Sequence, residues 1–268
     1  MATSIIERNN VKVLGEGSQT IIFAHGFGSD QTAWRHQVAA FAPHFRIVLF
    51  DHVGAGKSDF SAYSPRRYSS IYSYAEDLLD LCYELKLSKS ILVGHSVSGM
   101  VSLLAALVEP DCFSQLIFLG ASPRYLNDND VGYYGGFEQS DLDALYTAMS
   151  TNYYAWATGF APLVIANPDK PEVATEFAST LSAIRPDIAQ AVAKVIFQSD
   201  HRAELPRLNI PTVILQTTDD IAVPPQVGEY MQDKIPHSQL IPIPARGHVP
   251  HLSAPDVVTS AIAQCIAA

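Results

Sequence analysis

Cysteine is scarce in this sequence. The 268 residues contain only three, Cys82, Cys112 and Cys265, and these are far apart. An odd number of widely spaced cysteines argues against a disulfide framework and against a zinc site, because both need cysteines at characteristic spacings. None of the three stands in a motif with a histidine, so a cysteine nucleophile is not favoured either. We expect buried or helix-borne thiols.

Charge is also sparse, and positive charge most of all. Charged residues make up 16% of the chain, with 17 lysines and arginines against 27 acidic residues, for a formal net charge of −10. The one basic cluster is Arg66-Arg67. Because nucleic acids and anionic membranes attract basic surfaces, neither is expected as a partner.

Long hydrophobic runs are missing as well. No segment reaches the ~18–20 consecutive apolar residues of a membrane span. Residues 1–8 show neither the basic head nor the apolar centre of a secretion signal, so we expect a soluble, cytoplasmic protein without a membrane partner. Hydrophobic residues are nevertheless plentiful at 48%. That composition and length favour one large α/β domain, with or without an inserted subdomain.

Short apolar runs of strand length alternate with helical stretches along most of the chain. We predict strands at 11–14, 20–24, 45–50, 91–93, 115–119, 212–216 and 239–243, and helices at 34–41, 72–85, 99–108, 226–234 and 254–267. Such alternation predicts a mostly parallel sheet with helices on both faces. Sites in these sheets lie beyond the carboxyl ends of the strands.

The alternation stops between residues 124 and 199. This segment contains four helical stretches, at 139–151, 153–165, 171–184 and 186–197, separated by prolines. We therefore predict a core of residues 1–123 and 200–268, with residues 124–199 inserted as a helical lid. Most of the many aromatic residues in the lid are expected to pack helix on helix, and some to line a cavity beneath it.

A strand, a tight turn and a helix meet at Gly94-His95-Ser96-Val97-Ser98. Gly-x-Ser-x-Gly in this setting makes a nucleophile elbow, which exposes the serine hydroxyl at the top of a sheet. The chain departs from the pattern at Ser98, which stands where the second glycine is usual, with Gly99 one step on. Serine is small enough for the interpretation to stand.

Two other predicted strands are followed by residues that could act with Ser96: Asp219-Asp220 after one and His248 after the other. Along the chain they give the order Ser…Asp…His that is expected of an α/β-hydrolase. Serine is a weak nucleophile and needs an adjacent base. Histidine can take and return a proton near neutral pH, and a buried carboxylate fixes its tautomer. Spacing does not decide between Asp219 and Asp220.

A tetrahedral oxyanion needs two backbone N–H donors. Val97 follows the serine and is expected to supply one. Phe27 stands in the glycine-rich loop after the second strand and is placed to supply the other.

Other polar features receive structural interpretations. The loop from Asp51 to Ser58 resembles a phosphate-binding loop, but Asp51 stands where its first glycine should be, so we expect a tight turn. Three histidines, at positions 36, 44 and 237, are expected to be solvated. Two more, His25 and His251, are candidates for structural hydrogen bonds.

The chain resembles the α/β-hydrolases that include the bacterial stress regulator RsbQ and the plant karrikin and strigolactone receptors. The resemblance runs nearly end to end, and the matching segments are 25–31, 94–98, 122–128, 135–138, 185–189, 197–200 and 247–253. Ser98 also matches the karrikin-type receptors. In the family the acid precedes a short run ending in Val-Pro, which implies Asp220 over Asp219.

The resemblance also implies the form of the lid and the pocket. The family lid is a V-shaped set of four helices. Its apolar pocket corresponds to Phe27, Tyr125, Trp156, Phe160, Phe197 and Val249. Family members act through partner proteins, which implies a signalling partner at the lid.

We therefore expect a carboxylic ester hydrolase that acts slowly on a small apolar, butenolide-like ester or lactone, through Ser96, His248 and Asp220, without metal or cofactor. The alternative is a ligand-sensing signalling protein that acts mainly through a partner. Carbon–carbon bond hydrolysis or acyl transfer on the same residues is a third possibility. Ser96 argues against dehalogenase or epoxide hydrolase chemistry, since both need an aspartate there.

Overall fold

The computed structural model describes residues 3–267. The predicted core also includes residues 1, 2 and 268, and these lie outside the described residues. Its centre is a seven-stranded sheet in the order β1-β3-β2-β4-β5-β6-β7, in which only β1 is antiparallel. The strands are β1 Lys12–Leu14, β2 Thr20–Ala24, β3 Arg46–Leu49, β4 Ser90–His95, β5 Phe113–Leu119, β6 Thr212–Asp219 and β7 Ser238–Arg246. The predicted mostly parallel sheet is confirmed.

Helices cover both faces of the sheet. Those of the core are α1 Ile5–Arg8, α2 Arg35–Phe41, α3 Tyr72–Glu84, α4 Val97–Val108, α9 Pro225–Lys234, α10 Pro250–Ser253 and α11 Pro255–Ala267. The described residues also contain four short 3-10 turns, at Gln31–Trp34, Phe60–Ala62, Pro110–Cys112 and Leu205–Arg207. Within residues 3–267, no helix combines the length and apolar character needed to cross a membrane.

Two hydrophobic layers hold the helices to the sheet. Alternate residues of a strand point to opposite faces, so Ile22 and Leu92 contribute to one layer while Phe23 and Val93 contribute to the other. The first layer includes α3, α4 and α9, and the second includes α2 and α11. The inner strands are buried on both faces, which explains their continuous apolar runs.

Four helices lie between β5 and β6: α5 Gln139–Thr151, α6 Tyr153–Ile165, α7 Pro171–Ala183 and α8 Pro186–Phe197. The helical stretches predicted for this segment are confirmed to within one residue. At its two ends Arg124 and Asp200 form a β-bridge, and their side chains are joined by a 2.7 Å ion pair. This pairing supports the predicted lid boundaries at 124 and 199, which remain a prediction.

Strand ends differ most from the sequence-based expectation. The strands β6 and β7 extend three residues beyond their predicted ends because they pair with each other up to Asp219 and Arg246. The strand β4 reaches His95, and α4 begins at Val97, two residues earlier than expected. Ser96 is therefore the single residue between a strand and a helix.

The loop from Asp51 to Ser58 is built around a buried carboxylate. Asp51 accepts hydrogen bonds from the backbone N–H groups of Gln31 and Lys57, both at 2.9 Å, and from the Asn10 amide at 2.7 Å. A side chain at Gly56 would meet this carboxylate at about 2.5 Å. The loop is thus closed by its own aspartate, which supports the interpretation as a tight turn.

Candidate active site

Ser96 occupies a strained position between β4 and α4. Its φ of 56° and ψ of −124° lie in a region that residues with a side chain rarely adopt. The turn is tight because a Cβ at Gly94 would lie 2.4 Å from the carbonyl oxygen of Ser98, and one at Gly99 would lie 2.4 Å from Ala121 Cβ. This geometry is that of a nucleophile elbow.

Ser96, His248 and Asp220 are joined by hydrogen bonds. Ser96 Oγ lies 2.8 Å from His248 Nε2, and His248 Nδ1 lies 2.8 Å from Asp220 Oδ2. Ser96 and Asp220 directly follow β4 and β6, and His248 comes two residues after the end of β7. The three side chains meet because these parallel strands end at the same edge of the sheet. All three side chains are buried, which strengthens the interactions among them.

The two adjacent aspartates have different surroundings. The second oxygen of Asp220, Oδ1, accepts hydrogen bonds from the N–H groups of Ala222 and Val223, at 2.8 and 3.1 Å. Asp219 is exposed, and its carboxylate lies 3.1 Å from the Arg246 guanidinium. Geometry therefore places Asp220 beside the histidine, as the resemblance implies.

Phe27 and Val97 flank the serine. Val97 is the first residue of α4, where N–H groups have no partner within the helix. The loop with Phe27 lies close to the serine, because a Cβ at Gly26 would be 3.0 Å from Ser96 Cβ. Within residues 3–267, neither the Phe27 nor the Val97 N–H donates to a backbone carbonyl. Both N–H groups remain candidates for the oxyanion hole.

Of the other predicted pocket residues, Tyr125 and Val249 lie at the site, and Trp156, Phe160 and Phe197 belong to the lid helices. The Tyr125 hydroxyl is 3.3 Å from Ser96 Oγ, and the Tyr125 ring contacts that of Phe197 with centroids 5.0 Å apart. Trp156 and Phe160 of α6 stack on each other at 5.0 Å and are half-buried. Val249 is fully buried next to the histidine. Their contribution to a ligand pocket remains a prediction.

Comparison with known proteins agrees with this geometry. The family described as the alpha/beta hydrolase fold matches residues 19–255. The chain belongs to the α/β-hydrolase family.

Similar proteins of this family include plant and bacterial members. A karrikin insensitive 2 receptor of Petunia hybrida is 46% identical over 94% of this chain and 93% of its own length. A strigolactone esterase of Arabidopsis thaliana is 40% identical over 94% of each chain. A solved hydrolase structure from Oleispira antarctica superposes with a TM-score of 0.95 at 34% identity, covering 99% of this chain and 98% of the other. The predicted family resemblance is confirmed.

Two contacts hold the His248 loop of this α/β-hydrolase in place. His95 Nε2 donates to the His248 carbonyl at 2.7 Å, which fixes the tautomer of His95 because a carbonyl oxygen only accepts. The His248 N–H donates to the Val164 carbonyl at the end of α6, at 2.8 Å. Gly247, with φ of 82°, allows the close approach, since a Cβ there would lie 2.1 Å from the Ile165 oxygen. The lid thus touches the backbone of the proposed base.

A second buried hydrogen-bond network involves Ser98, in the first turn of α4. Ser98 Oγ donates to the His25 carbonyl at 2.6 Å and lies 2.8 Å from His52 Nε2. The backbone N–H of His52 donates to His25 Nε2 at 3.0 Å. The expected structural hydrogen bonding of His25 is confirmed. Sequence reasoning missed His52 because it attributed no more than a turn to the loop that carries it.

His251 differs from its expectation. It is fully buried, its ring stacks on Trp34 with centroids 4.3 Å apart, and its two ring nitrogens have no partner within residues 3–267. The expected hydrogen bonding is therefore wrong, and His251 acts as an aromatic packing residue. Burial, with the nearby His248, lowers its pKa to about 3, so the ring is neutral. No group of three or more His, Cys, Asp or Glu in the described chain is arranged to hold a metal.

Beside Phe27 and Val97 is a cavity of about 40 Å³. Its walls come from the glycine-rich loop, the loop after β3, helices α3 and α4, and the lid helix α8. Of the predicted pocket residues only Phe27 lines it; Tyr125, Trp156, Phe160, Phe197 and Val249 do not. The aliphatic lid residues here, Ile188, Val192 and Ile196, could not be told from core residues by sequence.

Proposed function

We propose that this protein is a serine hydrolase that cleaves a small apolar ester or lactone. One observation carries the proposal, namely the continuous hydrogen-bond chain from Asp220 through His248 to Ser96 at the elbow. The serine, the base and the carboxylate stand in the order and geometry that acyl transfer requires.

The reaction follows from the positions of these groups. Ser96 Oγ attacks the carbonyl carbon while its proton passes to His248 Nε2, and Asp220 stabilises the imidazolium through Nδ1–H. The N–H groups of Phe27 and Val97 hold the developing oxyanion, each contributing about 2.7–4 kcal/mol to lowering the barrier. His248 then protonates the departing alcohol or enol. Water, activated by His248, hydrolyses the acyl-enzyme and restores Ser96.

The surroundings of the serine favour a small and uncharged substrate. Tyr125, Phe197 and Val249 are apolar over most of their surface and are buried near Ser96 or His248. Burial raises the pKa of Tyr125, which keeps the phenol neutral. A relative named as a strigolactone esterase supports a lactone, and a butenolide-like ring suits a site of this kind.

The test compares Ser96→Ala with Ser102→Ala. Ser102 is a buried serine of α4 whose hydroxyl, in the described part of the chain, bonds only to its own helix, at Ser98 O. We expect Ser96→Ala to lose hydrolysis of p-nitrophenyl acetate and of a butenolide lactone, and Ser102→Ala to retain it. Hydrolysis by Ser96→Ala at the rate of the parent would refute the nucleophile assignment.

A second function, ligand sensing through a partner protein, is favoured by the surface of the lid. Large apolar side chains are exposed there at Val131, Tyr134, Tyr154 and Leu163. Relatives named as receptors agree with such a role. In a sensor, the lid is the two-state element that a partner reads.

Turnover and thermal shift separate the two functions. An ordinary esterase turns over a butenolide rapidly with little change in melting temperature. A sensor shows slow or single turnover and a large ligand-dependent shift. Partner binding that is equal with and without ligand would contradict sensing.

A further inference from the structure

His95 contacts three parts of the candidate active site. It is the last residue of β4, so its backbone leads directly into Ser96. Its ring nitrogen Nε2 lies 2.7 Å from the His248 carbonyl oxygen, and the two imidazole rings have centroids 5.1 Å apart. Its other ring nitrogen, Nδ1, faces the glycine-rich loop, because a Cβ at Gly26 would lie 2.5 Å from it. One side chain therefore contacts both the loop of the proposed base and the loop that carries Phe27.

The His248 carbonyl depends on His95 for a hydrogen bond. Within residues 3–267, no backbone N–H donates to this buried oxygen. His95 is 1% exposed, and burial, with His251 and His248 nearby, lowers its pKa, so the ring is neutral and carries one N–H. That N–H is on Nε2, since a carbonyl oxygen only accepts. Loss of this donor would leave a buried acceptor without a partner, and we expect the His248 loop to move in response.

Pairing within the sheet does not by itself set the distance between Ser96 and His248. Strands β5 and β6 lie between β4, which leads into the serine, and β7, which precedes the histidine. The Ser96 backbone is also strained, with a φ of 56°, and such a conformation persists only where neighbouring groups hold it. The hydrogen bond from His95 to His248 joins these two strand ends directly. It therefore helps to fix the 2.8 Å separation of Ser96 Oγ and His248 Nε2.

We propose that His95 is a positioning residue for the hydrolysis, whose Nε2–H holds the His248 loop where the imidazole reaches both Ser96 and the leaving group. The inference rests on the proposed hydrolase function and adds a residue to it. His95 acts through the backbone of His248 and forms no bond to the substrate. The close contact with Gly26 leaves the ring no room to turn away on that side.

The step most sensitive to this placement is the departure of the alcohol. By then Ser96 Oγ is bonded to the carbonyl carbon, and the proton that it gave up is on His248 Nε2. When the bond between that carbon and the leaving oxygen breaks, this proton passes to the leaving oxygen. An alkoxide is a poor leaving group and needs the proton, whereas p-nitrophenolate is stable enough to depart without it. Displacement of His248 should therefore slow cleavage of an alkyl ester more than cleavage of a p-nitrophenyl ester.

The test compares ethyl butyrate with p-nitrophenyl butyrate, which form the same acyl-enzyme and differ only in the leaving group. The measured quantity is kcat/KM for ethyl butyrate divided by kcat/KM for p-nitrophenyl butyrate. A partial loss of folded enzyme lowers both values equally and cancels in this ratio. If His95 served only to stabilise the fold, its substitution would leave the ratio at the wild-type value.

Three variants separate the hydrogen bond of His95 from its bulk. His95→Phe keeps a ring but removes the donor, and is expected to lower the ratio about tenfold or more. His95→Gln carries an amide N–H at about the distance of Nε2 from the backbone, and should keep most of the wild-type ratio. His95→Asn carries the same amide one carbon shorter, does not reach the His248 carbonyl, and should behave like His95→Phe. If His95→Phe does not fold, the comparison of the two amide variants decides the proposal.

His251→Phe is the matched control. The His251 ring is also buried and lies 4.5 Å from the His95 ring, centroid to centroid, but its nitrogens bond to no group in the described chain. This variant should keep the wild-type ratio.

Three results would overturn the proposal: a wild-type ratio in both His95→Phe and His95→Asn, equally low ratios in His95→Gln and His95→Asn, or an equal fall in His251→Phe. Each of them, with Ser96→Ala inactive on both esters, leaves the proposed hydrolase function intact. Activity of Ser96→Ala on both esters would overturn that function instead.

Discussion

Asp219 and Asp220 are adjacent residues of the same type, but they have different surroundings, and we expect their substitutions to have different effects. Asp220 is buried and accepts from His248 and from two backbone N–H groups. We expect Asp220→Asn to lower kcat for p-nitrophenyl acetate by roughly 10³–10⁴, because the amide favours the wrong imidazole tautomer. Asp219→Asn removes only an exposed ion pair and should leave kcat nearly unchanged. Equal losses in both variants would contradict the assignment.

Ser98, which replaces the usual glycine of the elbow, can be tested for stability. Its hydroxyl is the acceptor for His52 and the donor to His25. Ser98→Ala leaves two buried groups without a partner and should lower the free energy of unfolding by about 1–3 kcal/mol. Ser102→Ala is the control, because it breaks only a bond to a carbonyl of its own helix. Urea denaturation measures both, and equal changes would show that the network adds nothing.

The sequence predicted which residues meet at the candidate site better than it predicted their surroundings. Ser96 and His248 follow recognisable strand ends, so topology alone brings them together. The choice of Asp220 needed the family pattern, since either aspartate is within reach of the same strand end. The hydrogen bond between His52 and Ser98 could not be predicted, because the two residues are 46 positions apart and no local sequence pattern indicates that they meet.

Among the structural elements, the lid is attached to the core by charged residues at its two ends. Arg202, which follows the lid, lies 2.7 Å from both Asp128 and Asp200, and its guanidinium covers the Tyr133 ring at 4.8 Å. Arg124 pairs with Asp200 from the other side at 2.7 Å. Ion pairs therefore connect the segment that leads into the lid with the segment that follows it.

Removing one of these charges tests the attachment. We expect Arg202→Ala to increase the rate at which a protease cleaves within residues 124–199, because local opening of the lid becomes less costly. Arg185→Ala is the control, since within residues 3–267 its one ion pair is an exposed pair with Asp187. Limited proteolysis read by mass spectrometry checks both variants. Cleavage of Arg202→Ala no faster than that of Arg185→Ala would show that the lid is held by packing alone.

Helices and strands were predictable where a residue pattern marks both ends. Prolines begin or precede the helices α7 and α8, and the predicted bounds agree with the structure. The final residues of β6 and β7 were missed because, apart from the buried Ala245, they are exposed or polar, and they are ordered by pairing with each other. The short helix α10 was missed because four residues are too few to show a period.

At the scale of the whole molecule, buried neutral histidines predict acid sensitivity. Burial lowers the pKa values of His52, His95 and His251, the last to about 3. The unfolded chain titrates near about 6.5, so below that pH it binds more protons than the folded chain does. Stability is therefore complete above about pH 6.5 and falls as the pH is lowered, by about 1.4 kcal/mol per pH unit for each histidine.

Denaturation by urea between pH 5 and 8 measures this dependence. His251→Phe keeps an aromatic ring against Trp34 and should reduce the slope by about one histidine's share. Val108→Ala, at the exposed end of α4, alters no titratable group and should leave the slope unchanged. A free energy of unfolding that stays constant from pH 7 to 5 would contradict the account.

The central claim is that Ser96 is the nucleophile. Rapid quenching after mixing with p-nitrophenyl butyrate, followed by peptide mass spectrometry, tests it most directly. The account predicts one butyryl group on the tryptic segment 90–124, located at Ser96 and absent in Ser96→Ala. A butyryl group on another residue that turns over at the catalytic rate, or undiminished product release by Ser96→Ala, would contradict it.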